Sequence, residues 1–357
     1  MAAPGTSTTG ASGMQTSLDT FYDALLVSTL DPMTRFLQFG QRRPLPQNRG
    51  DIVVWNRGIA LTNGYMLTTG TPVSAVKQIS TTNVSATIQQ FGDVVNIADL
   101  LQLTSPVNAR KLATERLAAQ AARTLDTVVK MAILGFSGGT IGSDGVTHYV
   151  KGSTSAFYTL STSVIETASD PRLQVSDIRS VAFHLRGFDV PTFDGENYVA
   201  IAHPFAIEDI VTDSAWVNAH IYTTSENIYR GEVGKIYGVR FVESTLAPVS
   251  AGSANGIALS VVGVSTLAYG TVIFGKEFYG VTEVDGGIKT YLTEGADKLD
   301  PLNQVTLLGW KANFTSKVLN PSAGVVVWAG SGDSMTGASS LSARRSAGLN
   351  IDFPTTW

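Results

Sequence analysis

The chain has 357 residues, of which 43% are hydrophobic and only 15% are charged; it contains no cysteine, and its formal net charge at pH 7 is −4. Average proteins carry roughly 25% charged residues, and this apolar, weakly charged composition excludes both a largely disordered chain and a generally basic nucleic-acid-binding protein. The absence of cysteine from the sequence excludes disulfides, thiolate metal sites and a cysteine nucleophile.

The two ends of the sequence are rich in small polar residues. Residues 1–17 are mostly Gly, Ser, Thr and Ala, and they lack both the basic residues and the apolar stretch of a signal peptide. Residues 331–357 are rich in Gly and Ser and end on a tryptophan. Segments of this kind cannot bury a core of their own, so we expect both to be ordered by contacts between chains.

The part of the chain before the first long helix is predicted to be mainly extended. Residues 18–37 predict a short helix and an apolar arm, and Pro44 and Pro46 then stop regular structure. Residues 51–103 predict extended structure, because they open on Ile-Val-Val-Trp and later alternate with period two. The polar, glycine-containing stretch between these ends has too few apolar residues to pack alone. We therefore expect a long hairpin that projects from the body.

The strongest helix pattern runs from Pro106 to Leu134. Ser105 is the expected N-cap, Pro106 suits the first turn, and Gly135 can take the left-handed position after the last turn. At about 1.5 Å per residue this helix would exceed about 40 Å, which is long for a domain of this size. Its apolar positions recur at helical spacing, at Leu117, Ala121, Leu125, Val128 and Ala132.

The rest of the chain mixes helices and strands, which predicts the α+β class. Helices are expected from Ser176 to Leu185, ended by Gly187, and over Pro204–Asp213. The uncharged stretch 255–275 is long enough to span a bilayer, but its glycines and β-branched residues favour two buried strands joined by a turn. The predicted strands are Tyr198–Ala202, Val239–Ser244, Gly256–Val264, Thr271–Val284, Val305–Val318 and Gly324–Ala329.

Two short motifs resemble catalytic or phosphate-binding sequences. Residues 135–139 (GFSGG) match the G-x-S-x-G pattern, but a nucleophile elbow needs a strand before its serine and a helix after it, whereas here a helix precedes Ser137 and a turn follows. Residues 270–276 (GTVIFGK) have P-loop spacing, but Glu277 stands where Ser or Thr must reach the magnesium ion. We interpret the first motif as a helix cap with a loop, and the second as part of a strand.

The titratable residues lack the pattern of a metal or catalytic site. His148, His184, His203 and His220 do not have the spacing of a zinc site. His203 with Glu208 and Asp209 could form an acid–base cluster, but the same residues are typical of a strand end followed by the first turn of a helix. We therefore predict no catalytic, cofactor-binding or metal-binding residues, and no cofactor.

The tight basic groups lie near the two ends of the chain. They are Arg42 and Arg43 with Arg49, and Arg344 with Arg345. These side chains could contact nucleic-acid phosphates or the carboxylates of a neighbouring chain, or simply keep the ends of the chain soluble. Aromatic residues do not alternate with them, so a specific platform for single-stranded nucleic acid is not expected.

Longer segments carry more information than these motifs. They are residues 89–100 (QQFGDVVNIADL), 198–222 (YVAIAHPFAIEDIVTDSAWVNAHIY), 229–245 (YRGEVGKIYGVRFVEST) and 300–320 (DPLNQVTLLGWKANFTSKVLN). They resemble stretches of the major capsid proteins of tailed bacteriophages, in the branch of the N-four-type phages. Together with the long helix, the resemblance covers most of the chain from about Asp51 to Ala329, in the family's order.

The resemblance implies an α+β HK-97-type capsid fold. That fold has an N-terminal arm, an extended β-hairpin loop, a peripheral domain with a long spine helix, and an axial domain. The implied spine helix is 106–134. The implied division of this chain is 1–50 for the arm, 51–90 for the extended loop, 91–170 and 300–330 for the peripheral domain, 171–299 for the axial domain, and 331–357 for a C-terminal tail.

The resemblance also implies a function, that of a non-enzymatic major capsid protein. Such a protein self-assembles into the icosahedral shell, made of hexamers and pentamers, that encloses the DNA genome of a tailed phage. The implied partners are further copies of the chain, other capsid or portal proteins, and packaged double-stranded DNA in weak non-specific contact, with no membrane. The implied location is the virion capsid, assembled in the host bacterial cytoplasm. Two alternatives stay open: an encapsulin-like cellular compartment shell, and a soluble α+β enzyme or binding protein.

Overall fold

Helices and strands alternate along the chain in a computed structural model, which describes residues 34–45, 50–59, 61, 63–64, 77–104, 108–135, 145–150, 172–216, 234–250, 268–293, 302 and 304–330. The helices are α1 (Phe36–Phe39), α2 (Asp99–Thr104), α3 (Ala109–Ile133), α4 (Val175–Gly187) and α5 (Pro204–Thr212). The strands are β1 (Gln41–Arg42), β2 (Ile52–Gly58), β3 (Thr81–Thr87), β4 (Gln89–Ala98), β5 (Thr147–Val150), β6 (Tyr198–Ala202), β7 (Lys235–Ile236), β8 (Val239–Glu243), β9 (Val249–Ser250), β10 (Ala268–Phe274), β11 (Tyr279–Thr293), β12 (Val305–Val318) and β13 (Gly324–Gly330). The predicted α+β class is confirmed.

A four-stranded sheet carries the long helix α3. Its strand order is β1-β11-β12-β4, with β1 parallel to β11 and the other neighbours antiparallel. Helix α3 packs against β12, and its buried Leu117, Ala121 and Leu125 belong to the same core as Trp310 and Phe314 of that strand. The predicted apolar stripe is confirmed for these three residues of α3, whereas its last two positions, Val128 and Ala132, are half-buried and Val129 and Ile133 are buried in their place.

The long helix starts later than its sequence pattern predicts. The prediction placed the N-cap at Ser105, but α3 is capped by Asn108, whose Oδ1 accepts from the backbone N–H of Lys111 at 3.1 Å. Residues 105–107 lie outside the described residues. The 25 residues of α3 span about 37 Å, somewhat less than expected. Gly135 follows the helix with a φ of 60°, which confirms its predicted left-handed position.

A second, larger sheet forms the other part of the core. Its strand order is β5-β13-β10-β6-β8-β7, and β9 pairs with β10. Every residue of β6 and β13 is buried, which explains why these strands appear in the sequence as continuous apolar runs. Helix α4 begins at a capping box formed by Gln174 and Asp177. The predicted positions of α4, α5, β6, β8, β12 and β13 are confirmed to within one or two residues.

The predicted strand Thr271–Val284 is wrong, because the structure divides this segment between the two sheets. Strand β10 ends at Phe274 in the larger sheet, and β11 begins at Tyr279 in the smaller one. Between them, Glu277 has a φ of 70°, and the Lys276 N–H donates to the Pro191 carbonyl at 2.9 Å. The sequence carries a sign of this break, because Gly275, Lys276 and Glu277 interrupt the apolar pattern and the two charged residues are exposed.

The N-terminal part of the segment 51–103 forms the predicted hairpin. Strands β2 and β3 pair antiparallel, with Ile52 opposite Thr87 and Gly58 opposite Thr81. The extended prediction is wrong at its end, because residues 99–104 form helix α2. The predicted strand Gly256–Val264 and the two polar ends, 1–17 and 331–357, lie outside the described residues, and so do residues 18–33 of the predicted short helix and apolar arm. None of the described helices is long and apolar enough to cross a membrane.

Candidate assembly surfaces

The base of the hairpin is fixed to the body by a tryptophan. Along β2, Val53 and Trp55 are buried, whereas the residues on either side of them are exposed. Both pack with Ala86 and Leu319 in a small apolar cluster. The Trp55 ring also lies against β11, where a Cβ added at Gly280 would stand 2.8 Å from the indole. The hairpin is therefore held by close packing on a glycine.

Replacing Gly280 with alanine is expected to loosen the hairpin. The added methyl would overlap the Trp55 ring at 2.8–3.0 Å, and overpacking of this kind costs about 1–3 kcal/mol. The Tm should fall, and hydrogen exchange in β2 and β3 should increase. Gly58→Ala is the matched control, because nothing lies within 4 Å of a Cβ at that position. Equal effects of the two substitutions would show that the contact with Trp55 does not hold the hairpin.

Beyond its base, the hairpin leaves apolar side chains in water. Ile59, Leu61 and Ile79 are 52%, 55% and 81% exposed. The Nζ of Lys77 donates to the carbonyl oxygen of Asn63 at 2.5 Å and so joins the two sides of the hairpin. An extension with exposed apolar side chains is suited to lie against another protein surface.

The short helix α2 turns its leucines outward. Leu100, Leu101 and Leu103 are 71%, 51% and 76% exposed, and none of the six residues of α2 is buried. Instead, Gln102 faces the body: its Nε2 donates to Thr306 Oγ1 at 3.0 Å, and its Oε1 accepts from an arginine of α3 at 3.1 Å. We call Leu100, Leu101 and Leu103 the leucine patch. Apolar side chains left in water together in this way mark a surface for contact with another molecule.

A second exposed apolar surface lies at the C-terminal end of α4. Phe183 and Phe188 are each 57% exposed, and Tyr237, between β7 and β8, is 42% exposed. Arg186 joins them, because its guanidinium carbon lies 5.4 Å from the Phe183 ring centroid and its Nη2 donates to the Tyr237 carbonyl at 2.7 Å. We call these three aromatic residues the aromatic patch. Exposed aromatic rings together with an arginine are typical of protein interfaces.

A buried carboxylate fixes the segment around α1 to α3. The Oδ1 of Asp126 accepts from the backbone N–H of Phe36 at 2.8 Å and from that of Leu37 at 3.0 Å. Asp126 and Phe36 have no exposed surface, and the hydroxyl of Tyr279 donates to the Phe36 carbonyl. Burial raises the pKa of Asp126, and the backbone donors partly offset this effect. The start of α1 is thus held at a defined point on α3, which we call the arm anchor.

The acid–base candidates of the sequence occupy structural positions. His203 caps α5, where its Nδ1 accepts from the backbone N–H of Phe205 at 3.3 Å. The prediction that Glu208 and Asp209 lie in the first turn of this helix is wrong, because they follow Pro204, the first residue of α5, by a full turn. Among the described residues, no group of three or more His, Asp or Glu could hold a metal ion.

The two short motifs also occupy structural positions where the chain is described. Gly135 ends α3, so a helix precedes the G-x-S-x-G motif as predicted. Residues 270–274 lie within β10, which confirms the strand interpretation of the P-loop-like motif. The other residues considered at these sites and in the basic groups, namely Arg49, Ser137, His220, Arg344 and Arg345, lie outside the described residues.

His148 is a buried residue that pairs with Trp328 across β5 and β13. The indole Nε1 donates to His148 Nδ1 at 3.1 Å, and the planes of the two rings lie within 13° of parallel. Because Nδ1 accepts, the proton of the neutral imidazole lies on Nε2. Burial lowers the pKa of His148 to about 4. Protonation at Nδ1 would place two N–H donors, those of His148 Nδ1 and Trp328 Nε1, against each other in the core.

The stability that the neutral His148 contributes to the subunit is therefore expected to be lost as the pH falls from about 6.5 to about 4. In this window the unfolded state binds a proton at His148 that the folded state does not, since the folded pKa is the lower one. The full difference corresponds to about 3 kcal/mol. His148→Gln keeps an acceptor for Trp328 but does not titrate, so its free energy of unfolding should depend less on pH. Parallel pH profiles for the two proteins, measured by urea denaturation, would contradict this role.

Comparison with solved structures identifies the fold. The capsid structure of the cyanophage P-SCSP1u matches with a TM-score of 0.59 and 16% identity, over 83% of this chain and 88% of that one. The capsid of Ralstonia phage GP4 matches with a TM-score of 0.61 and 14% identity, over 84% of this chain and 91% of that one. The capsid asymmetric unit of cyanophage Pam1 matches with a TM-score of 0.59 and 13% identity, over 85% of this chain and 92% of that one. The chain has the HK-97-type capsid fold.

The HK-97-type fold expected from the sequence resemblance is thus confirmed, whereas membership of the N-four-type branch stays a prediction. No protein-family model matches the chain, and no curated protein matches it in sequence. The likeness is therefore carried by the fold, at sequence identities of 13–16%.

Sequence reasoning missed the leucine patch, the aromatic patch and the arm anchor. The sequence contains a signal for the leucine patch, since three leucines surround one glutamine in DLLQLT. The interpretation of residues 51–103 as extended structure concealed the exposure of these leucines. For the aromatic patch, the sequence shows Phe183 and Phe188 close together in the chain, but only the folded structure brings Tyr237 near them. Asp126 gave no signal, since its partners lie about 90 residues away in the chain.

Proposed function

We propose that this chain is the major capsid protein of a tailed phage and self-assembles into an icosahedral shell of hexamers and pentamers. The observation that carries the proposal is the match of more than four-fifths of the chain to the capsid subunits of three phages. Those proteins are named as capsid components, and the match extends over about nine-tenths of each of them.

The exposed apolar surfaces support this function. A shell subunit must bury surface against several neighbours, and burial contributes about 25 cal/mol per Å² of apolar area. The leucine patch, the aromatic patch and the apolar side chains of the hairpin lie on different elements of the fold. Several contacts of moderate strength, repeated over a closed shell, give a firm assembly through multivalency.

The division of the chain into parts belongs to the same proposal. Residues 1–50 form the N-terminal arm, 51–90 the extended loop, 91–170 with 300–330 the peripheral domain, 171–299 the axial domain, and 331–357 the tail. Strand pairing joins the peripheral and axial parts: β11 pairs with β12, and β13 pairs with β10. The long helix α3 is the spine helix in this division.

In this proposal the protein has a structural role without catalysis, and it is located in the capsid of the virion. Its further partners in this proposal are other capsid or portal proteins and packaged double-stranded DNA, and assembly takes place in the host bacterial cytoplasm. A net charge of −4 fits a weak, non-specific relation to DNA, since strong binding needs a clear excess of basic residues.

Expression of the full chain followed by size-exclusion chromatography and negative-stain imaging tests the function. Pentamers, hexamers or closed shells are the expected particles. A compact monomer at all concentrations would overturn the proposal. Mass spectrometry of the particle content separates a virion from a cellular compartment, because packaged DNA indicates the former and an enclosed enzyme indicates the latter.

Removing the outer part of the hairpin is expected to leave a folded subunit that does not form shells. The Ile59 N–H donates to the Ser80 carbonyl at 3.0 Å, so these residues form a hydrogen-bonded pair that a two-residue Asn-Gly turn can close. The variant therefore replaces residues 60–79 with Asn-Gly. Circular dichroism and Tm should stay close to those of the wild type, while the shell fraction in electron micrographs falls to background. Normal shells from this variant would contradict the assigned role of the loop.

A further inference from the structure

A groove runs beneath the base of the hairpin. One cavity, of about 570 Å³, lies between β1, β2 and the turn before β11, and a second, of about 610 Å³, lies along the end of β12. Arg57, Gly58, Val84 and Leu319 line both cavities. We call the two cavities together the hairpin groove. It is formed by segments that are far apart in the sequence.

The hairpin groove is positively charged. Four cationic side chains and one acid line it: Arg42, Arg43, Arg57, Lys317 and Glu277. The three arginines are exposed, so their guanidinium groups can reach a ligand. This concentration of positive charge stands out in a chain with 29 acidic and 25 basic side chains. Arginine forks bind carboxylates in a bidentate manner.

An edge of the hairpin borders the same groove. The pairs 51–88 and 59–80, at the two ends of β2, are hydrogen-bonded. Hydrogen-bonded pairs alternate along an antiparallel ladder, so the odd-numbered residues of β2 bond to β3 and the even-numbered ones direct their N–H and C=O groups away from it. Arg43 uses this edge, because its guanidinium donates to the carbonyl of Val54. Asn56 and Gly58, farther along the edge, line the groove. The groove thus offers both charge and a strand edge to an extended peptide.

A polypeptide suits these features better than a nucleic acid does. A strand edge pairs with backbone amides, which a sugar-phosphate chain does not have. Trp55, Val84 and Leu319 give the groove an apolar component, and Glu277 repels phosphate. Copies of this chain carry complementary charge, since they are acidic overall and expose acids such as Asp194 and Glu196 in one loop.

We propose that the hairpin groove binds an extended acidic segment of a second copy of this chain, whose carboxylates pair with Arg42 and Arg57. This inference rests on the proposed shell function and assigns one chemical contact within it. The hairpin then has two roles, since its outer part covers a neighbour while its base receives an acidic segment from another copy. Arg43 positions the edge of β2, and Lys317 adds to the positive potential of the groove.

Charge reversal tests the groove. Arg42→Glu combined with Arg57→Glu should raise the protein concentration needed for assembly by at least about tenfold, because like charges then face each other across the contact. The matched control is Arg123→Glu with Arg179→Glu, which reverses the same charge at exposed positions on α3 and α4. Light scattering gives the assembly threshold, and the Tm shows that each variant is folded. An equal loss in the control pair would overturn the proposal, since the effect would then be one of net charge.

Zero-length crosslinking tests the contact directly, even where a reversed variant fails to fold. Arg57→Lys keeps the charge and supplies an amine, which a carbodiimide couples to a carboxylate within contact distance. Shells assembled from mixed ¹⁴N- and ¹⁵N-labelled subunits should give mixed-label peptide pairs that join position 57 to an Asp or Glu. Crosslinks within one label only, or none, would overturn the proposal.

The two proposals fail in distinguishable ways. If the wild type forms no shell, the proposed function fails. If the wild type forms shells and the charge-reversed groove variant assembles at the same threshold, only the groove proposal fails. Normal shells of the groove variant that lose packaged DNA would also overturn it, because the groove would then face the genome.

Discussion

Replacing all three residues of the leucine patch with glutamine is expected to abolish shell formation and leave the subunit folded. Their side chains are 51–76% exposed in the subunit, and burying a leucine contributes about 1.5–3 kcal/mol. Because the same contact repeats in every subunit, the loss of these contributions weakens every such interface of the shell at once. Glutamine keeps the helix propensity of leucine, so α2 itself should persist. The stability of the subunit should change little, because none of these residues belongs to its core.

Substitution of the same three residues with methionine is the matched control for the leucine patch. Methionine keeps the apolar character and approximate volume of leucine, so this variant should still assemble. Sedimentation velocity measures the fraction of subunits in shells, and urea denaturation measures subunit stability. If the glutamine variant assembled as the methionine variant does, the leucine patch would not be an assembly contact. A large loss of stability in the glutamine variant would show instead that these leucines support the fold.

Asp126→Ala is expected to lower the free energy of unfolding by about 3–5 kcal/mol. The substitution removes the acceptor of two buried backbone N–H groups, those of Phe36 and Leu37, and each unsatisfied buried donor costs about 1–3 kcal/mol. The small cavity left by the carboxylate adds to this cost. Hydrogen exchange at these two amides should become fast, because the arm anchor no longer holds α1. Native-state exchange measured by NMR or mass spectrometry provides this second readout.

Asp126→Asn is the matched control for the arm anchor, since the amide oxygen still accepts from both N–H groups. Burial raises the pKa of Asp126, so the folded state holds the proton more tightly than the unfolded state does. The contribution of this group to stability therefore increases as the pH falls from the raised pKa to the ordinary value of an aspartate, and the neutral asparagine lacks this dependence. We expect its stability to lie within about 1 kcal/mol of the wild type. Equal destabilisation by Ala and Asn would contradict the acceptor role.

Local patterns predicted the elements of the core well, because the burial of each element is recorded in the spacing of its own apolar residues. The all-buried β6 and β13 appear as continuous apolar runs, and three of the five predicted stripe positions on α3, Leu117, Ala121 and Leu125, are buried. Two predictions failed at the ends of elements. The strand predicted across residues 271–284 is interrupted near Lys276, whose N–H donates to the Pro191 carbonyl. The cap of α3 is Asn108 and not Ser105, because Asn and Ser are similarly good N-caps and local preference does not choose between them.

The candidate surfaces were less predictable than the core. The sequence DLLQLT does not show whether its leucines are exposed or buried. Their exposure follows from the hydrogen bonds of Gln102 to β12 and to α3, which turn the glutamine toward the body. The basic groups of the sequence contained Arg42 and Arg43, but Arg57 and Lys317 join them through folding. Charge patterns along a chain do not show which side chains converge from separate elements.

Tyr279 and Gly280, at the start of β11, act as a mechanical junction. The hydroxyl of Tyr279 holds the arm through the Phe36 carbonyl, and the backbone at Gly280 supports Trp55 at the base of the hairpin. A four-residue turn connects these residues to the end of β10 in the larger sheet. A pull on the hairpin and a pull on the arm therefore load the same two residues, and the central strands of both sheets resist it together. In a shell built from such subunits, tension on the arm or on the hairpin would pass through this point.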